Sequence, residues 1–417
     1  MTGEERLRQF TETSYEKRIT KINERIYHFL GWGHSNATAI IGDTSIILVD
    51  TLDSDARGER LKAELKTIAD KPVRTIIYTH GHPDHRGGAG AFKDTVEEII
   101  AFKPKGTVLD GYDRLAPALN RRGGFQFGYA LTDEENISQG IGPREGRAVG
   151  DGDFSPLPPT TVYDGDTVTR TIDGVTLEIT SAPGETDDQL FVWLNEDKVM
   201  ISGDNYYGCW PNLYAIRGTQ YRDIAQWVKT LEKILSYPSE ALLPGHTAPL
   251  LGHETILDVV GNFKDALAFV LNKTLECMGE GMTLEETVEA VQLPENLRDK
   301  EYLGEYYGTV EWSVKGIYCG YVGWFDGDAT HLMPCREREF ADAVLELAGG
   351  AEAVCRKAEG CLKEGNFQLA LQLLDLVAPS GRDEAWKAMK RQALFGRAAQ
   401  MTSANARHYY ICSAKEV

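Results

Sequence analysis

Three histidines and an aspartate fall within six consecutive residues, His80 to His85, in the stretch "YTHGHPDHRGG". The apolar run "VRTIIY" precedes them, so these side chains leave the end of a strand, where the backbone can turn several of them to one side. A lone histidine is commonplace, but His-x-His-x-Asp-His after a strand requires a fold that opens a polar pocket at that strand's end. Imidazoles of His80 and His82 can grip one divalent ion, while Asp84 and His85 point to a second. Neutral imidazole and carboxylate suit zinc, and three or four protein ligands with an open position mark a catalytic site.

The rest of the chain divides by pattern. From Lys21 to about Pro249, short apolar runs such as "ATAIIGDTSIILVDTL" alternate with helical stretches such as "SDARGERLKAELKTIA", which reads as an α/β region over residues 1–251. Over residues 252–417 long helical segments dominate, among them "ETILDVVGNFKDALAFVLNKTLECM" and "FQLALQLLDLVA", and the reading is an all-α domain. Its last part resembles a pair of helical hairpins that pack on a neighbour. Residues 103–159, rich in Gly, Arg and Pro, read as a long loop walling a binding site.

Bulk properties narrow the partners. A net charge of −19 repels nucleic acid and anionic membrane. No run approaches the length of a membrane span, and the charged N-terminus lacks an apolar signal segment. Seven cysteines without a repeating framework fit reduced thiols, so the expected compartment is the cytoplasm.

The motif "HGHPDH" resembles the signature of the metallo-β-lactamase superfamily, whose fold is two β-sheets sandwiched between helices. The resemblance implies further metal ligands: Glu185 in "APGETDDQLFVW", Asp204 in "VMISGDN" as a bridge between two ions, and His246 in "LLPGHTAP". Glu185 stands where the superfamily usually has histidine, and adds negative charge that softens the Lewis acidity of the site. That substitution resembles the alkylsulfatase branch, as do "NLYAIRG" (Asn212 to Gly218) and the run "YVGWFDG", which is similar to the start of that branch's helical dimerisation domain. The branch often carries a further sterol-carrier-like domain, which the resemblance does not find in this chain. Asp204, where the branch usually has glutamate, and a turn one residue shorter at "PGETDDQ" are departures.

The resemblance implies two zinc ions per chain held by His80, His82, Asp84, His85, Glu185, Asp204 and His246. A metal-bound hydroxide would then cleave a small-molecule sulfate monoester of an alkyl alcohol to alcohol and inorganic sulfate. Asp84, Asn212 and Arg217 are the candidate catalytic residues, with the planar guanidinium of Arg217 suited to sulfate oxygens and Asn212 donating beside it. Phe127 and Tyr129 are candidates for an apolar substrate cleft. Asp50 in "ILVDT" is expected to hold the ligand loop by hydrogen bonds, and His34 to serve in a turn or behind the ligands. Runs such as "GIYCGYVGWF" need a cover, so a homodimer through the helical half is expected. The alternatives are another ester on the same fold (phosphoester, lactone or β-lactam) and a non-catalytic metal-stabilised scaffold.

Overall fold

The structure is a computed structural model that describes residues 1–106, 109–379 and 381–417. Two sheets form its centre. The first holds seven strands in chain order: β1 (Arg18–Lys21), β2 (Ile26–Leu30), β3 (Ala37–Ile41), β4 (Ile46–Val49), β5 (Val73–Ile77), β6 (Glu98–Phe102) and β7 (Thr161–Tyr163). β1 to β4 pair antiparallel, and β4 to β7 are parallel. The second sheet contains β8 (Thr167–Ile172), β9 (Val175–Ser181), β10 (Leu190–Leu194), β11 (Val199–Gly203), β12 (Ala241–Pro244) and β13 (Leu250–Leu251), in the order β13-β12-β11-β10-β9-β8. Within it only β11 and β12 pair parallel.

Side-chain alternation explains why the sheets stack. In β4, Ile47 and Val49 meet the opposite sheet while Ile46 and Leu48 turn outward; in β11, Val199 and Ile201 face inward and Met200 outward. Both faces are covered, so these strands read as unbroken apolar runs. The helix Asp55–Ile68 covers the first sheet through Leu61 and Leu65. On the second sheet, helices Ile224–Leu235, His253–Gly279 and Val310–Val322 build one core around Trp227, Phe263, Leu267 and Ile317. The result is an αββα sandwich followed by helices. That core runs continuously from Ala182 to Ile317, so the helices that begin at His253 are seated on the sandwich and not tethered beside it.

The segment read as a long loop is more ordered than its composition implies. It contains the helix Ala116–Gln126, whose sequence "APALNRRGGFQ" has a proline and two glycines and hence poor helix propensity. Tertiary contacts supply what propensity lacks. The helix Ala404–Glu416 lies against it, with Phe125 and Tyr409 edge to face at 5.3 Å and His408 Nδ1 3.0 Å from the Gln126 carbonyl. In the helical half, Gly349 and Gly350 both take positive φ and split one apolar stretch into helices Glu337–Leu347 and Ala351–Lys363.

All seven cysteines are free thiols. Among the described residues no helix is long and apolar enough to cross a membrane. A row of large apolar side chains beyond the helix Val310–Val322 faces outward: Trp324 is 74% exposed, Met333 89% and Leu347 89%.

Leu243, fully buried between the sheets just before the His246 loop, tests this packing. Leu243→Ala is expected to cost about 2–5 kcal/mol, read as a lower urea midpoint with the folded-state circular dichroism preserved.

Candidate metal centre

Strand ends deliver the conspicuous side chains to one place. β5 leads through Thr79 to His80, β11 ends one residue before Asp204, and β12 ends two residues before His246. Asp84 and His85 sit in the short helix Pro83–Arg86, and Glu185 comes from the loop after β9. His80, His82, Glu185 and Asp204 each bring a donor atom within 4.8 Å of the others, and so do His85, Asp204 and His246. Asp204 joins the two groups. Its Oδ2 lies 3.8 Å from His80 Nε2 and 3.2 Å from His246 Nε2, and its Oδ1 3.4 Å from His85 Nε2. Asp84 Oδ2 is 3.4 Å from Nε2 of both His85 and His246. His82 Nδ1 stands 3.0 Å from His80 Nε2 and 3.6 Å from Glu185 Oε2.

The far edges of the rings are already committed. His85 Nδ1 donates to Asp50 Oδ2 at 2.7 Å, and His246 Nδ1 to the His34 carbonyl at 3.0 Å. His80 Nδ1 lies 3.0 Å from Thr79 Oγ1, whose hydroxyl donates to Asp50 Oδ2 at 2.8 Å. Thr79 N–H donates to Asp50 Oδ1 at 2.8 Å, so one carboxylate fixes two ligand rings, and Asp50 itself is held at positive φ. Each ring therefore aims Nε2 into the cluster. Nε2 of His85 and His246 and Oδ1 of Asp204 are buried with no hydrogen-bond partner among the described residues. Buried acceptors without donors are costly, and donors some 3–4 Å apart suit an ion about 2.0–2.2 Å from each. The residues present thus fit two divalent cations. Glycine is required beside them, because a Cβ on Gly245 would lie 2.0 Å from Asp204 Oδ1 and 2.9 Å from His85 Cε1.

Charge is compensated from behind. Glu185 Oε1 accepts from buried Arg222 Nη1 at 2.8 Å and from the Tyr207 hydroxyl at 3.3 Å, leaving Oε2 toward His82. The extra negative charge read at position 185 is therefore paired with a guanidinium. Burial works against it, yet Asp204 and Asp84 push the His246 imidazole up to about 10. Burial also disfavours charge on Asp204, but His246, His85 and His80 hold its carboxyl well below the usual range. A protonated His246 at neutral pH must lose its proton when a cation binds, so cation affinity rises with pH from 6 to 8. Calorimetry in buffers of different ionisation enthalpy is expected to show proton release on zinc addition to the metal-free protein. Asp50→Ala, which frees the rings of His80 and His85, is expected to weaken zinc affinity about 10–100-fold in chelator competition.

A cavity of about 540 Å³ opens onto this cluster, walled by His34, Phe127, Tyr129, Glu145, Arg147, Arg217 and Tyr307 among others. Phe127 and Tyr129 stack at 5.9 Å between ring centroids. Arg217 makes no ion pair with a carboxylate among the described residues; its backbone N–H donates to Gln126 Oε1 at 2.8 Å. Asn212 is buried and does not line the cavity; its side-chain amide has no partner among the described residues, and its backbone carbonyl accepts from Arg222. His34 stands closer to the ligands than a turn residue would: its Nδ1 donates to the Pro143 carbonyl at 2.8 Å and its Nε2 lies 3.9 Å from Asp84 Oδ2. Sequence reading did not single out Arg222, Tyr207, Glu145 or Arg147. None carries a local pattern, since each acquires its position from a loop that only the fold brings to the site.

Known proteins are similar to this chain in sequence and fold. The family profile described as metallo-beta-lactamase superfamily matches residues 30–246, and that described as alkyl sulfatase dimerisation matches residues 283–417. A linear primary-alkylsulfatase of Pseudomonas sp. (strain ATCC 19151) is 33% identical over 385 residues, covering 89% of this chain and 72% of that protein. The alkyl/aryl-sulfatase BDS1 of Saccharomyces cerevisiae is 29% identical over 96% of this chain and 64% of its own length. The solved structure of the stereoselective inverting sec-alkylsulfatase Pisa1 from Pseudomonas sp. superposes with a TM-score of 0.85 at 25% identity, over 98% of this chain and 66% of that one. The chain thus spans from under two thirds to about seven tenths of the length of these relatives. With both profiles matched and the sandwich carrying its ligand-like cluster at the strand ends, the chain belongs to the alkylsulfatase branch of the metallo-β-lactamase superfamily.

Proposed function

We propose that this protein is a metal-dependent hydrolase that cleaves a sulfate monoester with water to an alcohol and hydrogensulfate. The observation that carries the reading is Arg217: a guanidinium with no carboxylate partner lines the same cavity as the convergent donor atoms, ready for an anionic tetrahedral group. The relatives, named as alkylsulfatases, support the sulfate in particular.

His80, His82 and Glu185 would hold one ion and Asp84, His85 and His246 a second, with Asp204 within reach of both groups; zinc suits these donors. Such ions, when bound, act as Lewis acids and bring coordinated water toward neutrality in pKa. The chain supplies the rest. Asp50 and the His34 carbonyl hold the imidazoles in one tautomer. Arg222 offsets the charge of Glu185, so that a substrate anion meets less repulsion. Arg217 binds and orients sulfate oxygens, Asn212 offers its unpaired amide behind that loop, and Phe127 with Tyr129 and Tyr307 form an aromatic wall that excludes water from the ester.

The exposed row with Trp324 and Met333 is assigned to a homodimer contact, in keeping with the dimerisation profile over the same region. The free thiols fit a reducing cytoplasm.

Zinc-loaded protein is expected to release inorganic sulfate from primary or secondary alkyl sulfates. His82→Ala should abolish release, and Arg217→Ala should lower kcat/KM by about 100-fold, the weight of a charge-assisted bidentate contact. Zinc-loaded protein that releases no sulfate yet hydrolyses a phosphoester or lactone would move the substrate to that ester. In sedimentation the protein is expected to run as a dimer at micromolar concentration, and a Trp324→Asp, Met333→Asp double variant as a monomer.

A further inference from the structure

The cavity wall carries a charged assembly that hydrolysis of a plain alkyl ester does not require. Glu145 is buried, and both its carboxylate oxygens accept from the Tyr129 hydroxyl, at 3.1 and 3.0 Å. Arg147 Nε donates to Glu145 Oε2 at 2.7 Å, and Arg147 Nη2 donates to the Tyr129 hydroxyl. The guanidinium lies over the Tyr129 ring, its Cζ 4.8 Å from the centroid. These contacts use only the inner edge of a group with five N–H donors. Nη1 has no partner among the described residues, and the side chain stays 38% exposed at the cavity. Arg147 is thus clamped in one orientation with its outer edge free, as a guanidinium that reads an oxygen acceptor is. The Phe127–Tyr129 shelf joins it to His34, with the His34 and Phe127 rings 6.4 Å and the Phe127 and Tyr129 rings 5.9 Å apart between centroids, and among the described residues it makes no hydrogen bond or ion pair with the metal donors, which leaves it to the part of a substrate other than the ester.

Desolvation favours the same conclusion. A hydrocarbon tail laid across Arg147 would strip water from the guanidinium and return nothing.

Resting on the sulfate-ester reading above, we propose that the alcohol portion of the substrate bears a second anionic group, a carboxylate, received by the outer edge of Arg147, with Glu145 and Tyr129 as the residues that position that guanidinium.

The test compares hexyl sulfate with its ω-carboxylated counterpart, using zinc-loaded protein. The readout is the ratio of the two kcat/KM values. In the wild type the carboxylated ester is expected to lead by about tenfold or more, the weight of one charge-assisted contact, and to do so through KM. The ratio should fall to near one in Arg147→Met and invert in Arg147→Glu, while Glu145→Gln, which loosens the clamp without changing its size, gives an intermediate ratio. A wild-type ratio at or below one overturns the proposal. So does a ratio that Arg147→Met leaves intact while both esters slow equally, since Arg147 would then serve the sulfate itself. If neither ester releases sulfate, the hydrolytic reading fails separately, and the uncleaved esters become ligands. Calorimetric binding that favours the carboxylated ester in the wild type and not in Arg147→Met would still support the Arg147 site, and equal binding would reject it.

Discussion

Acidic side chains and imidazoles crowded at the mouth between two sheets can be buried only if positive charge is delivered among them, and much of the surrounding structure meets that requirement. Asp204 sits within 3.2 to 3.8 Å of three imidazole nitrogens. Without cations, His246, pushed up to about 10 by Asp204 and Asp84 despite burial, and His85, raised by the same carboxylates, hold protons against it, while burial keeps the His80 imidazole neutral. With cations bound, the same atoms would serve as ligands and the protons would leave. The two states share one geometry because Asp50, Thr79 and the His34 carbonyl hold the rings from behind.

Arg222 extends this logic to the position where the branch departs from its superfamily. A carboxylate there would leave the cluster over-charged, and the buried Arg222 guanidinium takes one oxygen of Glu185. Removing either partner alone would strand a buried charge, so the pair behaves as one unit. Arg222 also donates to the Asn212 carbonyl, which ties the segment carrying Arg217 to the ligand set.

The helical half contributes to the site through packing. The helix Ala404–Glu416 presses Phe125 and the Gln126 carbonyl into place, and the next residues, Phe127 to Tyr129, form the cavity wall. His408 meets the Gln126 and Asn136 carbonyls with its two ring nitrogens, at 3.0 and 2.8 Å, and so pins the wall from the far end of the chain. A segment with two glycines and weak helical propensity is thereby rigid enough to shape a cavity.

The sandwich was legible in the sequence because strands buried on both faces leave apolar runs of recognisable length, and the candidate metal cluster because six of its residues stand beside strand-end motifs. Local pattern determined these: His80 to His85 after β5, Asp204 after β11 and His246 after β12 are set by where a strand stops. The ordered helix Ala116–Gln126 was hidden, since its stability comes from residues almost 300 positions away. Arg222, Glu145 and Arg147 were hidden for the same reason. A lone arginine or glutamate has no periodicity to read, and its partner is chosen by whichever loops the sheets bring together. Sequence by itself determined which atoms could bind cations and at which strand ends they stand; only the tertiary structure decided which charges face each other across the cavity, because that depends on distances between segments that the chain's order does not encode.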